Sequence, residues 1–529
     1  MRVQRCRLYS VFLTLFGLSA CGAMLRAEDK AASSLASKLA AAIEEPPYRN
    51  AHWGILIVDR TSGEVLFEHQ ADKLFAPAST TKLFSTAAAF DVLGPDYRFE
   101  TPIYALGKID DGRLLGDLVL VASGDLTLGG RTDDAGHIAF TDSDHIYAQF
   151  VSTAELTKPD PLAGLDALAK QVAAAGIKHV TGDVLVDARL FDEAESSGSG
   201  PERVTPIVVN DNLIDFLIEP TELGKPAKVE WRPKTVAARV DVQVATVAEK
   251  EETAVSVSAV GESGFIVRGQ IAAGRKPLVR TVEVSEPDSF ARALLIEALG
   301  RAGVRVDASP LAGNSPQALP KPEQYVTSQR VALLESPPFA ENAKLILKVS
   351  HNLHASTLPL LIAAKNGERT LTAGMRRQHD FFHRAGCDLD GISFGGAAGG
   401  ARADYVSPRA AVQLLRYMST HKAFAAYRAG LPVLGVDGTL ARAVPADSPA
   451  KGKVAAKTGT LLWGNTGNGQ YILTSKALAG YAAAASGRDL AFAMFLNNVL
   501  IARSEEGARK AGEKLGSLCE IVVAETPGK

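Results

Sequence analysis

Three short runs carry residues able to do covalent chemistry: Ser79-Thr80-Thr81-Lys82, Ser350-His351-Asn352 and Lys457-Thr458-Gly459. A serine hydroxyl attacks well only when a base takes its proton. Residues i and i+3 at the start of a helix share a face, so Lys82 can set its amine beside the Ser79 hydroxyl. To act as that base the amine must be neutral near pH 7. Burial and a second cation, here Lys457, both lower a lysine pKa. The helix N-terminus favours negative charge developing at the reacting centre. Thr458 offers a hydroxyl for a carboxylate, and Gly459 would let a substrate backbone lie close along a strand edge. Ser350 can relay a proton, and Asn352 can hold an amide.

A lone Ser-x-x-Lys arises by chance in a chain this long. Ser419-Thr420-His421-Lys422 reads as a solvated helix end, and Ser448-Pro449-Ala450-Lys451 as a Pro-rich turn. No Ser-x-Asn follows either before Lys457, so neither can head the trio. His351, His354, His379 and His383 do not read as a metal site, because no Glu follows His379 as in a zinc-protease helix. They read as packing or solvated histidines. The glycine-rich run 395–400 lacks the Lys-Ser/Thr of a phosphate-binding loop. No metal or cofactor is therefore expected.

The elements that must position these residues differ along the chain. An Ala-rich helix is expected over 29–45, then a hairpin from Trp53–Asp59 and Glu64–Glu68, then a helix from Thr80 to Leu93 closed by Gly94. From about 100 to 320 short Val-rich strands dominate, with one helix from Leu162 to Ala175. Val240, Val242 and Val244 alternate with other residues, the period of a half-buried strand. The run Glu249–Glu252 reads as a solvated turn. Helices return at 339–364, 370–385, 407–418 and 503–519, with strands over 453–459 and 470–498. Both ends share one texture. The expectation is an α+β domain, residues 28–98 and 326–529, split by a β-rich two-part insertion over 99–325 with a small β unit near 225–275.

The chain has 529 residues, 46% hydrophobic and 22% charged, enough for several packed domains. Its formal charge of −2 leaves no basic excess for nucleic acid. Arg2, Arg5 and Arg7 precede an uncharged run from Leu8 to Leu25, the pattern of an export signal over 1–27. Leu18-Ser19-Ala20-Cys21-Gly22 resembles the lipobox of bacterial lipoproteins, in which the Cys is lipidated and holds the protein to a membrane surface. The alternative is cleavage near Ala27. No other segment is apolar enough to span a membrane. Cys387 and Cys519 are the only distal cysteines, and nothing in the sequence decides whether they pair.

The three runs, in this order and setting, resemble those of the serine DD-peptidases of the penicillin-binding-protein superfamily. The similarity is greatest to the three-domain D-alanyl-D-alanine carboxypeptidases of low-molecular-mass class C. It extends over roughly 45–505 and includes Pro77–Leu83, Leu118–Asp125, Thr181–Asp187, Val209–Asn212, Ser350–Leu353, Val454–Gly459 and Leu478–Tyr481. The 271 residues from Ser79 to Ser350 suit that branch, whose extra domains lie between the first two motifs.

The resemblance implies a β-lactamase/DD-peptidase-like domain with an antiparallel sheet between helices. It implies that Ser79 attacks the bond between two terminal D-alanines of peptidoglycan stem peptides, with Lys82 as base. Ser350 would shuttle the proton, near Lys457. The N–H groups of Ser79 and Thr460 would form the oxyanion hole, and Thr458 would hold the terminal carboxylate. β-Lactams would acylate Ser79, and the enzyme would work in the periplasm or cell envelope.

Three places depart from the family: Ala355-Ser356 after the second motif, Phe394–Arg402, and the Gly/Asn-rich Leu462–Gln470, expected as a loop at the cleft rim. Two other functions use the same scaffold. A β-lactamase or esterase is disfavoured because no Glu is identifiable as a deacylation base. A non-catalytic peptidoglycan-binding or β-lactam-sensing lipoprotein would not need both lysines.

Overall fold

A computed structural model describes residues 35–261 and 263–525. The export signal, Cys21 and the first residues of the expected 29–45 helix lie outside the described residues. The rest of that helix spans 35–43 and buries Leu35, Leu39, Ala42 and Ile43, an i, i+4, i+7, i+8 stripe.

One antiparallel sheet joins both ends of the chain. Its order is Val454–Asn465, Gln470–Ala483, Asp489–Asn497, His52–Asp59 and Val65–His69, with Val499–Ile501 also on Gln470–Ala483. Side chains alternate across a strand, so His52–Asp59 feeds two cores. Ile55 and Ile57 pack with Leu515 and Leu518 of the C-terminal helix Ser504–Val523. Leu56 and Val58 pack on the other face with the helices Thr81–Leu93, Phe339–Lys348, Leu371–Arg384 and Pro408–Met418. Each such buried Ile or Leu contributes roughly 2 kcal/mol. The architecture is the expected α+β sheet between helices.

A second sheet runs Arg305–Val306, His179–Val180, Arg113–Val121, Glu100–Asp110 and Gln329–Glu335, with Val184–Asp187 on Arg113–Val121. Gln329–Glu335 pairs with Glu100–Asp110, so this sheet runs past the expected boundary at 325. Two three-stranded sheets lie within it. One holds Arg239–Val247, Ala254–Val260 and Gly264–Ala272; the other holds Leu213–Glu219, Lys228–Arg232 and Leu278–Glu283. The unit expected near 225–275 is thus divided, because Lys228–Arg232 pairs with Leu213–Glu219 instead.

The expectation of a single helix between 100 and 320 is corrected. Pro287–Arg301 is a second helix, packed with Ala163–Ala174 over the sheet. Its signals were present: Pro at the first turn, and Phe290, Leu294, Leu295, Ala298 and Leu299 at helical spacing.

Candidate active site

The chain enters the site through Phe75-Ala76-Pro77 and makes one 3-10 turn, Ala78–Thr80, before the helix Thr81–Leu93. Ala78 holds a left-handed φ of 46°. This turn lifts Ser79 to the surface of the cleft while Lys82, one turn on, is fully buried. Lys82 Nζ lies 2.8 Å from Ser79 Oγ, 2.7 Å from Asn352 Oδ1 and 2.7 Å from the Ala398 carbonyl oxygen. The amide oxygen and the carbonyl can only accept. A neutral amine gives its two protons to them and turns its lone pair to the Ser79 hydroxyl. Burial lowers the Lys82 pKa to about 7, against the pull of the Asp404 carboxylate.

Lys457 is also fully buried, and its Nζ donates to the Thr458 carbonyl at 2.9 Å. Burial holds it well below the usual lysine range, and Lys82 and Lys476 push the same way. Burial is the main cause that lowers Lys82, and the mutual repulsion of the two buried amines acts in the same sense.

Ser350 connects the helices Phe339–Lys348 and Asn352–Lys365 with a left-handed φ of 66°. Its hydroxyl is buried with no hydrogen-bond partner among the described residues, and its carbonyl accepts from the Tyr147 hydroxyl of the insertion. Asn352 opens the second helix, so its side chain reaches Lys82. Thr458, Gly459 and Thr460 lie on the edge strand Val454–Asn465. Thr458 Oγ1 is 2.8 Å from Thr439 Oγ1, and Thr460 Oγ1 accepts from Lys476 Nζ at 2.8 Å. Burial pushes Lys476 down to about 8.

The need for Gly459 differs from that expected. A Cβ there would lie 2.5 Å from the Pro77 carbonyl and 3.2 Å from Ala78 Cβ. The missing side chain makes room for the turn that carries Ser79.

The glycine-rich run is the wall facing Ser79. Asp404 clamps it, accepting from Gly395 N–H and Ala401 N–H, both at 2.8 Å. Burial raises Asp404 to about 6, although these N–H groups and Lys82 favour its charge. The clamp aims the Ala398 carbonyl at Lys82. Beyond it lies a cavity of about 220 Å³ lined by Pro77, Ala78, Arg402, Tyr405, Leu461 and Trp463. Leu462–Gln470 is not a loop: the strand runs to Asn465 across a bulge at Leu461/Leu462, and its partner starts at Gln470. Trp463 stands 54% exposed beside this cavity.

Asp404, Thr439 and Lys476 had no signal in the sequence, because each meets the site only through tertiary packing. The two discarded Ser-x-x-Lys runs make no such pair: Ser419 Oγ donates to the Arg416 carbonyl, and Ser448 Oγ to Glu520. His379 and His383 are exposed. His351 and His354 are buried, but neither packs in an apolar core nor meets solvent: both face the Asp211 carboxylate.

A family model described as D-Ala-D-Ala carboxypeptidase 3 (S13) matches residues 35–517. This chain belongs to that family. The S13 enzyme is thus a serine-type D-Ala-D-Ala carboxypeptidase. It is 28% identical over 471 residues to the D-alanyl-D-alanine carboxypeptidase of Actinomadura sp. strain R39, covering 85% of this chain and 80% of that protein. It is 23% identical to the D-alanyl-D-alanine carboxypeptidase DacB of Haemophilus influenzae, covering 87% and 88%. The crystal structure of penicillin binding protein 4 from Haemophilus influenzae superposes with a TM-score of 0.68 at 20% identity, covering 90% of the S13 chain and 98% of its own. The same protein complexed with a β-lactam gives 0.65. These superpositions show the shared fold. Among the described residues no helix of the S13 enzyme is long and apolar enough to cross a membrane.

Proposed function

We propose that this enzyme is an exported serine DD-peptidase that cleaves the terminal D-Ala-D-Ala bond of peptidoglycan stem peptides through an acyl-enzyme on Ser79. One observation carries the reading: the buried Lys82 amine faces Ser79 Oγ while two pure acceptors hold its protons. Ser79 Oγ attacks the carbonyl carbon as its proton passes to Lys82 Nζ. The N–H groups of Ser79 and Thr460 receive the oxyanion. Ser350 hands the proton to the leaving D-alanine nitrogen, with Lys457 near it, and the C–N bond breaks. Thr458 and Thr439 present hydroxyls to the terminal carboxylate, and Asn352 meets the substrate amide. Water then attacks the ester and frees Ser79. A β-lactam ring opens onto the same oxygen and has no fragment to release, so its ester persists.

Intact mass after incubation with benzylpenicillin tests this, beside a Ser79→Ala control. The expected result is one adduct that is absent from the control, together with D-alanine release from a D-Ala-D-Ala peptide by the unmodified enzyme. No adduct and no consumption of the drug would sink the proposal. Export rests on the Arg-then-apolar N-terminus. The mass of the membrane-extracted protein separates a mature chain lipidated at Cys21 from one beginning at Glu28.

A further inference from the structure

The insertion reaches the second motif through one buried carboxylate. Asp211 sits in the turn Asn210–Asn212, whose three residues hold left-handed φ values of 51°, 55° and 56°. Asn and Asp adopt this conformation singly, but three in succession persist only where the surroundings enforce them. Here Asp211 Oδ2 accepts from Arg131 Nη2 at 2.7 Å and faces His145 Nε2 at 2.9 Å. Arg131 also forks onto Asp144 with two bonds of 2.9 Å, and His145 Nδ1 meets Asp215 at 2.6 Å. Arg232 Nε donates to the other Asp215 oxygen at 2.9 Å. Every one of these residues belongs to the insertion.

Asp211 Oδ1 turns the other way. It lies 2.9 Å from His354 Nε2, which donates to it, and 3.0 Å from His351 Nε2 in an off-line ion–dipole contact. His351 Nδ1 accepts the His354 backbone N–H at 3.4 Å and so caps the helix Asn352–Lys365. A neutral imidazole accepts at one nitrogen only when the other carries the proton. The carboxylate beside Nε2 selects that tautomer. His351 is flanked by Ser350, in its left-handed conformation, and by Asn352, on Lys82.

We propose that Asp211 is a positioning residue for the second motif: through His351 and His354 it holds Ser350 and Asn352 in place against Lys82, which makes the insertion part of the catalytic apparatus. This rests on the roles given to Ser350 and Asn352 above. A metal ion is the competing occupant, since the Asp211, His351 and His354 ligand atoms lie within 4.8 Å of one another. The two rings, however, stack 3.6 Å apart at an interplanar angle of 11°. Their in-plane lone pairs lie in separate, nearly parallel planes and do not converge on one ion, whereas ligation needs both aimed at it.

The test is the kinetics of benzylpenicillin acylation, followed by mass, for the wild type, Asp211→Asn, His351→Asn and the double variant. Asn at 351 still caps the helix but cannot face Asp211 with an imidazole. The expected result is a limiting acylation rate reduced about tenfold to a hundredfold in Asp211→Asn, as a small misplacement of reacting groups produces. The initial binding constant stays unchanged, and the double variant is no slower than the worse single one. Wild-type acylation rates in a folded Asp211→Asn, fully additive losses, or stoichiometric zinc in the purified protein would each overturn the proposal. Should Asp211→Asn fail to fold, His351→Asn and His354→Gln carry the same comparison, and normal rates in both overturn it. Failure of the wild type to acylate would instead refute the functional reading itself.

Discussion

The backbone of Gly399 passes so close to Ala78 that a Cβ on Gly399 would lie 1.9 Å from the Ala78 carbonyl oxygen and 3.0 Å from the Ser79 nitrogen. Gly399 also holds φ +92°, a conformation other residues adopt only with strain. The nucleophile turn and the glycine-rich wall are therefore fitted to each other, backbone against backbone. Gly399→Ala should displace Ser79 and lower the penicillin acylation rate by about a hundredfold. Adduct formation over time checks it, with circular dichroism to show that the fold survives.

In the proposed mechanism the acid side of the activity profile belongs to Lys82. The base is the neutral amine, so kcat/KM should rise with pH and level off above about 7, where burial has placed this pKa. Asp404 opposes that shift by favouring the charged amine. Asp404→Asn should therefore move the acid limb to lower pH. A pH profile of D-alanine release checks both, and a limb moving to higher pH would reverse the assigned sign.

Stability should fall on both sides of a near-neutral optimum, because of groups at the Asp211 network. Burial lowers His351 to about 3, so the unfolded chain takes up a proton first as pH drops below the usual histidine value of about 6.5. Burial opposes the charge of Asp211, but Arg131 holds its pKa low, so its contribution is lost in the same direction. His145 behaves oppositely. Burial opposes its charge, and Arg131 Nη2 lies only 2.6 Å from Nε2, but Asp215 and Asp211 prevail and raise the pKa to about 9. Its contribution is complete below about 6.5 and lost as pH rises through 9. Tm against pH checks this, and His145→Gln should flatten the alkaline slope alone.

Arg292, on the helix Pro287–Arg301, is among the largest fully buried side chains of the described residues. It binds Asp183 and the carbonyls of Ser309 and Ala312. Arg292→Met strands those acceptors and should cost about 3 kcal/mol, read by denaturant unfolding.

Cys387 and Cys519 are free and lie in separate cores on opposite faces of the main sheet. Burial pushes both thiols up to about 12. Peptide mapping after alkylation should find both unlabelled in the native protein and both labelled in denaturant without reductant.

Much of the frame was legible. Residues 453–459 and Trp53–Asp59 read as strands, and Thr80–Leu93 reads as a helix with Gly94 as its stop. The valine-rich texture around the helix Pro287–Arg301 masks it, although its own helical period is present. Gly464, Asn465 and Gly467 suggest turns and favour a loop over Leu462–Gln470; pairing of Leu462–Asn465 with Gln470–Leu473 overrides that preference.

What is local can be read along the chain. A helix of 3.6 residues per turn puts Lys82 beside Ser79, and strand alternation divides Ile55 and Ile57 from Leu56 and Val58. Only the tertiary structure decided what surrounds that pair. The Ala398 carbonyl on Lys82 comes from 316 residues away, Asn352 from 270, and Asp211 reaches His354 across 143. Contacts of that span depend on how two sheets and an insertion pack, and no spacing along the chain encodes them.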